Sequence, residues 1–345
     1  MSLAGDIELD LGGDGVDGST GDGQSRASSQ LELDETRRDV AAAVRDGLLR
    51  RRKRLPAWLL YDQQGSALFE EITLLPEYYL TRTERAILTD HAAEMIRAAG
   101  PPLSVVELGA GSASKTRILL QALLAQQRHG HYTPVDVSPS ALGFAQHQLR
   151  DLPRLSVRPV VARYPEELGF LRGLPGRRLV IFLGSNVGNY NPRAARTLLG
   201  AVRRQLAPGD ALLMGTDLRK SAAVLLPAYD DARGVTARFN KNVLERINRV
   251  LGARFDSHRF RHVVRWNAEA SRVELYLESL VAHTVPVAAL DVEIPFAAGE
   301  RIHTESSHKF TQAAVRALLT AAGFRWEATW RDAHRRFAVH LARVR

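Results

Sequence analysis

Glu107-Leu108-Gly109-Ala110-Gly111 ends an apolar run, and Lys115-Thr116 follows where a helical stretch begins. An acidic residue, two glycines and a helix start make a turn where a ligand can approach the backbone, because glycine lacks a Cβ and accepts positive φ. Further on, Asp136 ends a second apolar run just ahead of Ser138-Pro139, an N-cap followed by a first-turn proline. A carboxylate in that place can accept hydrogen bonds from both hydroxyls of a ribose. A dinucleotide site would use such a turn to hold a pyrophosphate. Glu107 would repel one, and the third position of the glycine pattern is Ala113. The arrangement suits a cationic amino acid joined to a nucleoside, the make-up of S-adenosylmethionine. Glu107 would order the charged amino-acid half and Asp136 the ribose.

These residues need a frame. Strand-like runs at 103–108, 132–137, 155–162, 179–184 and 211–215 alternate with helical stretches at 115–125, 140–152, 165–174 and 192–206. That alternation predicts a doubly wound parallel sheet, which binds ligands beyond the carboxyl ends of its strands. Helices are expected over 35–55, 61–74 and 81–99, the last opened by Thr81 and Glu84 in capping-box spacing. Beyond residue 215 the alternation stops. Residues 221–252 read as helix, 274–281 and 287–294 as strands, 311–322 as helix, and 324–330 and 336–342 as a closing antiparallel hairpin. A parallel α/β sheet that ends in such a hairpin is the Rossmann-like architecture of class I methyltransferases. Residues 34–83 and 220–308 are expected to form a smaller α+β substrate-binding domain. Residues 84–219 and 309–345 would form the S-adenosylmethionine-binding methyltransferase domain. Residues 1–33 are rich in Gly, Asp and Ser without a periodic apolar face, so a disordered acidic tail is expected there.

Composition excludes several classes. There is no cysteine among the 345 residues, so disulfides, thiol catalysis and thiolate metal sites are ruled out. No metal-ligand spacing of His or carboxylates appears and no metal is expected. No apolar run approaches the length of a membrane span, and no secretory signal is visible. A cytoplasmic monomer with no membrane partner is expected. The formal charge of +9 invites a nucleic-acid or basic-protein substrate. Most arginines are scattered, however, and the one cluster, Arg50-Arg51-Arg52-Lys53-Arg54, has no interleaved aromatic residue. No nucleic-acid partner is expected.

Four separated segments, in order, carry a resemblance. They are Tyr61-Asp62-Gln63-Gln64-Gly65-Ser66-Ala67-Leu68-Phe69 with Leu75-Pro76-Glu77-Tyr78-Tyr79; Phe182-Leu183-Gly184-Ser185-Asn186-Val187-Gly188-Asn189; Ala228-Tyr229-Asp230-Asp231 with Gly234-Val235-Thr236-Ala237-Arg238-Phe239-Asn240-Lys241-Asn242; and Ile302-His303-Thr304-Glu305-Ser306-Ser307-His308-Lys309-Phe310. From about residue 36 onward the chain resembles the histidine-specific methyltransferases of ergothioneine biosynthesis, the L-histidine Nα-methyltransferases. The resemblance implies that Gly109, Lys115 and Asp136, with Gly111 in the same turn, contact the cofactor. It implies that Asn189 and Tyr229 hold the substrate α-carboxylate, and that Tyr78, Glu305 and Ser307 contact the imidazole. Tyr61 and Phe69 would stand around the amine being methylated, eight residues apart and so about two turns apart on one helix. Three transfers to one nitrogen would give the trimethyl betaine, hercynine, with S-adenosylhomocysteine as by-product.

The chain departs from the family pattern in three places. Leu80 stands where Pro is common after the tyrosine pair, and Leu275 where some relatives have Met. Arg163-Tyr164 falls where an acidic–aromatic pair is common, so adenine would be held by backbone and by stacking on Tyr164. The family includes relatives that methylate tryptophan-derived amino acids. Another amino acid, such as a tryptophan derivative, is therefore one alternative acceptor, and a basic protein or RNA, suggested by the +9 charge, is the other.

Overall fold

The structure, a computed structural model, describes residues 34, 36–111 and 113–344. The expected tail over 1–33 lies outside the described residues. Six strands come first: β1 (Leu103–Leu108), β2 (Gly130–Asp136), β3 (Leu155–Val157), β4 (Val160–Val161), β5 (Arg177–Phe182) and β6 (Ala211–Asp217). The insertion supplies β7 (Phe260–Asn267), β8 (Arg272–Ser279), β9 (His283–Val287), β10 (Val292–Phe296) and β11 (Arg301–His308), and the chain closes with β12 (Phe324–Arg331) and β13 (Phe337–Val344). The main sheet has the order β12-β13-β6-β5-β1-β2-β3, with β4 also on β2. Pairing is parallel from β6 through β4, whereas β13 runs antiparallel to both β6 and β12. This is the class I methyltransferase sheet.

The sheet is covered on both faces, which is why its central strands read as unbroken apolar runs. Side chains alternate between faces. Val105, Leu179, Ile181, Ala211 and Leu213 enter one core. They meet Leu88, Met95 and Ile96 of helix Tyr79–Ala99 and Leu119, Leu120 and Leu123 of helix Thr116–Leu124. Val106, Val180, Phe182, Leu212 and Met214 enter the other, with Leu198, Leu199 and Val202 of helix Pro192–Gln205 and Val315 and Leu319 of helix Gln312–Ala321. Asn191 starts the Pro192–Gln205 helix by accepting from the Ala194 amide at 2.9 Å, with Pro192 in the first turn, where its missing N–H costs nothing.

The second layer is smaller. Strands β11-β8-β7 form an antiparallel sheet, and β9-β10 a separate hairpin. Helix Val235–Leu251 buries Phe239, Val243, Leu244 and Ile247 against it. Helix Gln63–Thr73 packs on that helix and is capped by Asp62, whose Oδ1 accepts from Gly65 N at 2.8 Å and from Asn242 at 2.7 Å. The preceding segment is stitched to β11: Leu55 N donates to His303 O at 2.8 Å, and His303 N to Lys53 O at 3.0 Å. Of the basic cluster, Lys53 turns inward to Glu300 at 2.6 Å, so the cluster is not one uniform patch.

Several expected elements differ. The expected helix over 165–174 is only a 3-10 turn, Gly169–Gly173; two glycines in so short a stretch remove its helical preference. Residues 287–294 form no single strand but the turn between β9 and β10, bent at Asp291, which has φ +51°. Strand β7 was not expected, because most of its residues are half-buried and its pattern does not alternate. The capping box at Thr81 is absent, since the helix already begins at Tyr79 and Glu84 is fully buried for another purpose.

Candidate active site

The cofactor turn forms where β1 stops and helix Thr116–Leu124 starts. Gly109 has φ +72°, and a Cβ built on it would lie 3.0 Å from Tyr164 Oη and 3.1 Å from Asn186 Nδ2. Glycine suits that conformation, and a side chain there would need both neighbours to give. Gly109 N donates to Val135 O at 2.8 Å, pinning the turn to the end of β2. Asp136 accepts from Gly111 N at 3.3 Å and Ser138 N at 3.0 Å, so it stands at the turn with acceptor capacity to spare. Burial raises its carboxyl above the usual range, and those amides oppose the rise. The glycine cradle, the carboxylate at the end of β2 and the Tyr164 ring fit an adenosyl group joined to an amino acid. Tyr164 packs edge-on against Phe182, ring centroids 6.2 Å apart.

Two expected cofactor residues sit differently from the simplest expectation. Glu107 is 4% exposed and faces inward, accepting from Thr116 Oγ1 at 2.7 Å and Tyr132 Oη at 2.5 Å. It braces the turn from beneath, and burial pushes its carboxyl up to about 7 against those hydrogen bonds. Lys115 pairs with buried Glu84, whose carboxylate also accepts from Gly184 N at 2.9 Å. Glu84 thus ties the cofactor turn to the loop after β5. Arg163 points outward to Asp39 at 2.7 Å, on the helix over 36–48, whereas the Tyr164 hydroxyl stands beside the Gly109 turn.

The other expected residues meet in one cleft. Tyr61, Phe69, Tyr78, Asn189, Tyr229, Glu305 and Ser307 all line it, with Leu80, Asn186, Phe239 and Leu275. Tyr61 lies just before helix Gln63–Thr73 rather than two turns along it. Its ring nonetheless reaches Phe69, with centroids 5.6 Å apart, and Phe239 at 5.4 Å. Phe69 adds Tyr78 at 6.1 Å and Phe239 at 6.0 Å, giving four rings around one wall. Asn186 touches both regions, for it lines the cleft and stands against the Gly109 cradle. The turn Asn186–Asn189 is held to β11 by His308 Nδ1 on Gly188 O at 2.9 Å. A Cβ at Gly188 would lie 2.9 Å from His308 O, so this approach also requires glycine.

Burial sets the protonation of the cleft. It pushes the Glu305 carboxyl up to about 7, with Lys309 opposing. Tyr61, Tyr78 and Tyr229 are all driven well above the usual tyrosine value, by burial first and next by Glu305 for Tyr61, by Tyr229 for Tyr78 and by Asp217 for Tyr229. Tyr61 is thereby held as a neutral hydroxyl. Among the described residues no group of three His, Cys, Asp or Glu could hold a metal ion. No helix among them is long and apolar enough to cross a membrane.

Residues 40–344 match the family described as histidine-specific methyltransferase, SAM-dependent. The chain belongs to this family. It is 43% identical to a histidine N-alpha-methyltransferase of Mycolicibacterium smegmatis, covering 91% of this chain and 98% of that one. It is 44% identical to the histidine N-alpha-methyltransferase of Mycobacterium tuberculosis over 89% and 94%. An N-methyltransferase of Aspergillus flavus is 26% identical over 90% and 86%. The protein is an S-adenosylmethionine-dependent methyltransferase.

Sequence reasoning passed over Glu84, Asn186, Phe239 and Lys309 as site residues. Phe239 sits on an apolar helix face and is indistinguishable there from core, and Glu84 carried a helix-cap signature. The Gly109 geometry yields a direct expectation. Gly109→Ala should weaken S-adenosylhomocysteine binding about tenfold, because a left-handed alanine costs ~1–2 kcal/mol and its methyl crowds Tyr164 and Asn186. Calorimetric titration measures this, and an unchanged affinity would show that the turn does not shape the cofactor site.

Proposed function

We propose that the protein moves methyl groups from S-adenosylmethionine to the α-amino nitrogen of L-histidine, three times in succession. One observation carries this reading. A single cleft places a buried carboxylate and hydroxyl, Glu305 and Ser307, beside carboxylate donors, Asn189 and Tyr229, and a wall of aromatic rings. Glu305 accepts an imidazole N–H when ionised, and Ser307 lines the same cleft as a second polar contact for the ring. The Asn amide and Tyr hydroxyl donate to the α-carboxylate. The sulfonium supplies an activated methyl group, so positioning provides most of the acceleration. Asn186 keeps the two regions in contact, and the amine is aligned between the Gly109 cradle and the rings of Tyr61 and Phe69. The residues over 34–83 and 220–308 serve as the substrate-binding part in this reading, and the chain acts as a monomer.

The test is direct. Purified protein is incubated with S-adenosylmethionine and each free amino acid, and mass gains are followed. Histidine should gain three methyl groups. Turnover of tryptophan with none of histidine would overturn the substrate, and a stop after one methyl group would overturn the trimethylation.

A further inference from the structure

We propose that Lys309 is a positioning residue of the substrate cleft, fixing the directions of the Tyr229 and Ser307 hydroxyl protons so that one O–H is kept for the substrate. The inference rests on the reading that these hydroxyls face a bound amino acid. Lys309 stands one residue past β11, and its side chain has no exposed surface. An ammonium has three hydrogens and no lone pair. Two are donated to hydroxyls, Tyr229 Oη at 2.6 Å and Ser307 Oγ at 2.8 Å, and the nitrogen forms an ion pair with Asp217 Oδ2 at 2.8 Å. The same nitrogen lies 4.7 Å from the centre of the Tyr229 ring.

The proton count then follows. Tyr229 Oη and Ser307 Oγ are 2.9 Å apart and share one hydrogen bond. Each also accepts from Lys309. Two hydroxyls hold two protons; one lies between them, and the other has nowhere to point but the cleft. Without Lys309 either hydroxyl could turn a lone pair toward a ligand that only accepts, such as a carboxylate. The ammonium also places positive charge behind the two hydroxyls, where a substrate carboxylate would lie in front.

The cation is itself held firmly. Asp217, fully buried, accepts from Tyr79 Oη at 2.8 and 2.9 Å and from Lys220, while its own amide donates to Ser185 Oγ at 2.9 Å. Lys220, Asp217, His308, Tyr229 and Glu305 are the charged or titratable groups facing Lys309. Those facing Glu305 are Lys309, Tyr61, Tyr78 and Tyr229. Among the described residues Lys309 is thus the one cation facing Glu305, and its removal shifts Glu305 further toward the neutral acid.

The experiment compares the full-length enzyme with Lys309→Met and with Lys309→Met/Asp217→Asn, in which the buried carboxylate is not left without its partner. Both should raise the KM for histidine roughly tenfold or more with a smaller change in kcat, as expected for a lost charge-assisted donor. Both should move the acid limb of kcat/KM to higher pH and leave S-adenosylhomocysteine affinity at the wild-type value. A wild-type KM and acid limb in either variant would overturn the proposal. So would a loss of S-adenosylhomocysteine affinity in step with histidine, since that marks a general structural role. Failure of the wild-type enzyme to methylate histidine would instead overturn the substrate reading.

Discussion

Glu305→Leu should raise the KM for histidine by one to two orders of magnitude and admit amino acids with bulky apolar side chains. Glu305 is 7% exposed, so bulk solvent does little to replace a lost partner. Removing a charge-assisted hydrogen bond in such a place costs ~1–3 kcal/mol, about 5- to 150-fold in an equilibrium constant. The polar cleft rejects apolar side chains because they leave the carboxylate unpaired. Leucine reverses that penalty, and Leu275 already supplies an apolar neighbour in the lining. The wild-type pH profile should report the same group. Burial holds the Glu305 carboxyl at about 7, above its ordinary value, so it is neutral below that pH and ionised above it. Histidine affinity should therefore fall as pH drops through about 7, and Glu305→Leu should lose that limb. An unchanged KM for histidine with unchanged selectivity would remove Glu305 from the imidazole site.

Phe69→Ala should leave the first methyl transfer largely intact and stall the later ones, so that mono- and dimethyl products accumulate. Each transfer replaces an N–H with a methyl group, and the last product is a fixed cation without any N–H. Hydrogen-bond acceptors lose their hold on such a nitrogen, whereas aromatic faces gain one through the ring quadrupole, worth ~0.5–2 kcal/mol per contact. Phe69 is central to the wall because it touches Tyr61, Tyr78 and Phe239. Its loss removes one face and loosens three others. A mass-spectrometric time course separates the steps, and equal slowing of all three transfers would dismiss the aromatic wall as the reason for repeated methylation.

The sheet was readable from the residues because its central strands are buried on two faces and so appear as apolar runs bounded by turns. Where a segment is covered on one side or bent by a single residue, that signal fails, as at β7 and at Asp291. Glu84 shows a local signature yielding to a tertiary one: cap spacing is a weak preference, and a buried pairing with Lys115 outweighs it. The cofactor turn was readable because Asp136 at the next strand end accompanies the glycines, which alone have many uses. The substrate cleft was visible only through family resemblance. Tyr61, Phe69 and Phe239 look like core residues in any local window. Lys309 and Asp217 are 92 positions apart, and no periodicity links them.

Helix Tyr79–Ala99 gives the two ligand regions a common lever. Tyr78 at its N-terminal boundary lines the cleft, Glu84 nearly two turns further along holds Lys115 and the loop after β5, and its last carbonyls are gripped by Arg343. A rigid rod fastened in this way cannot move at one region without being felt at the other. Should occupancy of one region shift this helix, thermodynamic linkage makes the exchange symmetrical: by whatever factor the nucleoside alters affinity for the amino acid, the amino acid alters affinity for the nucleoside.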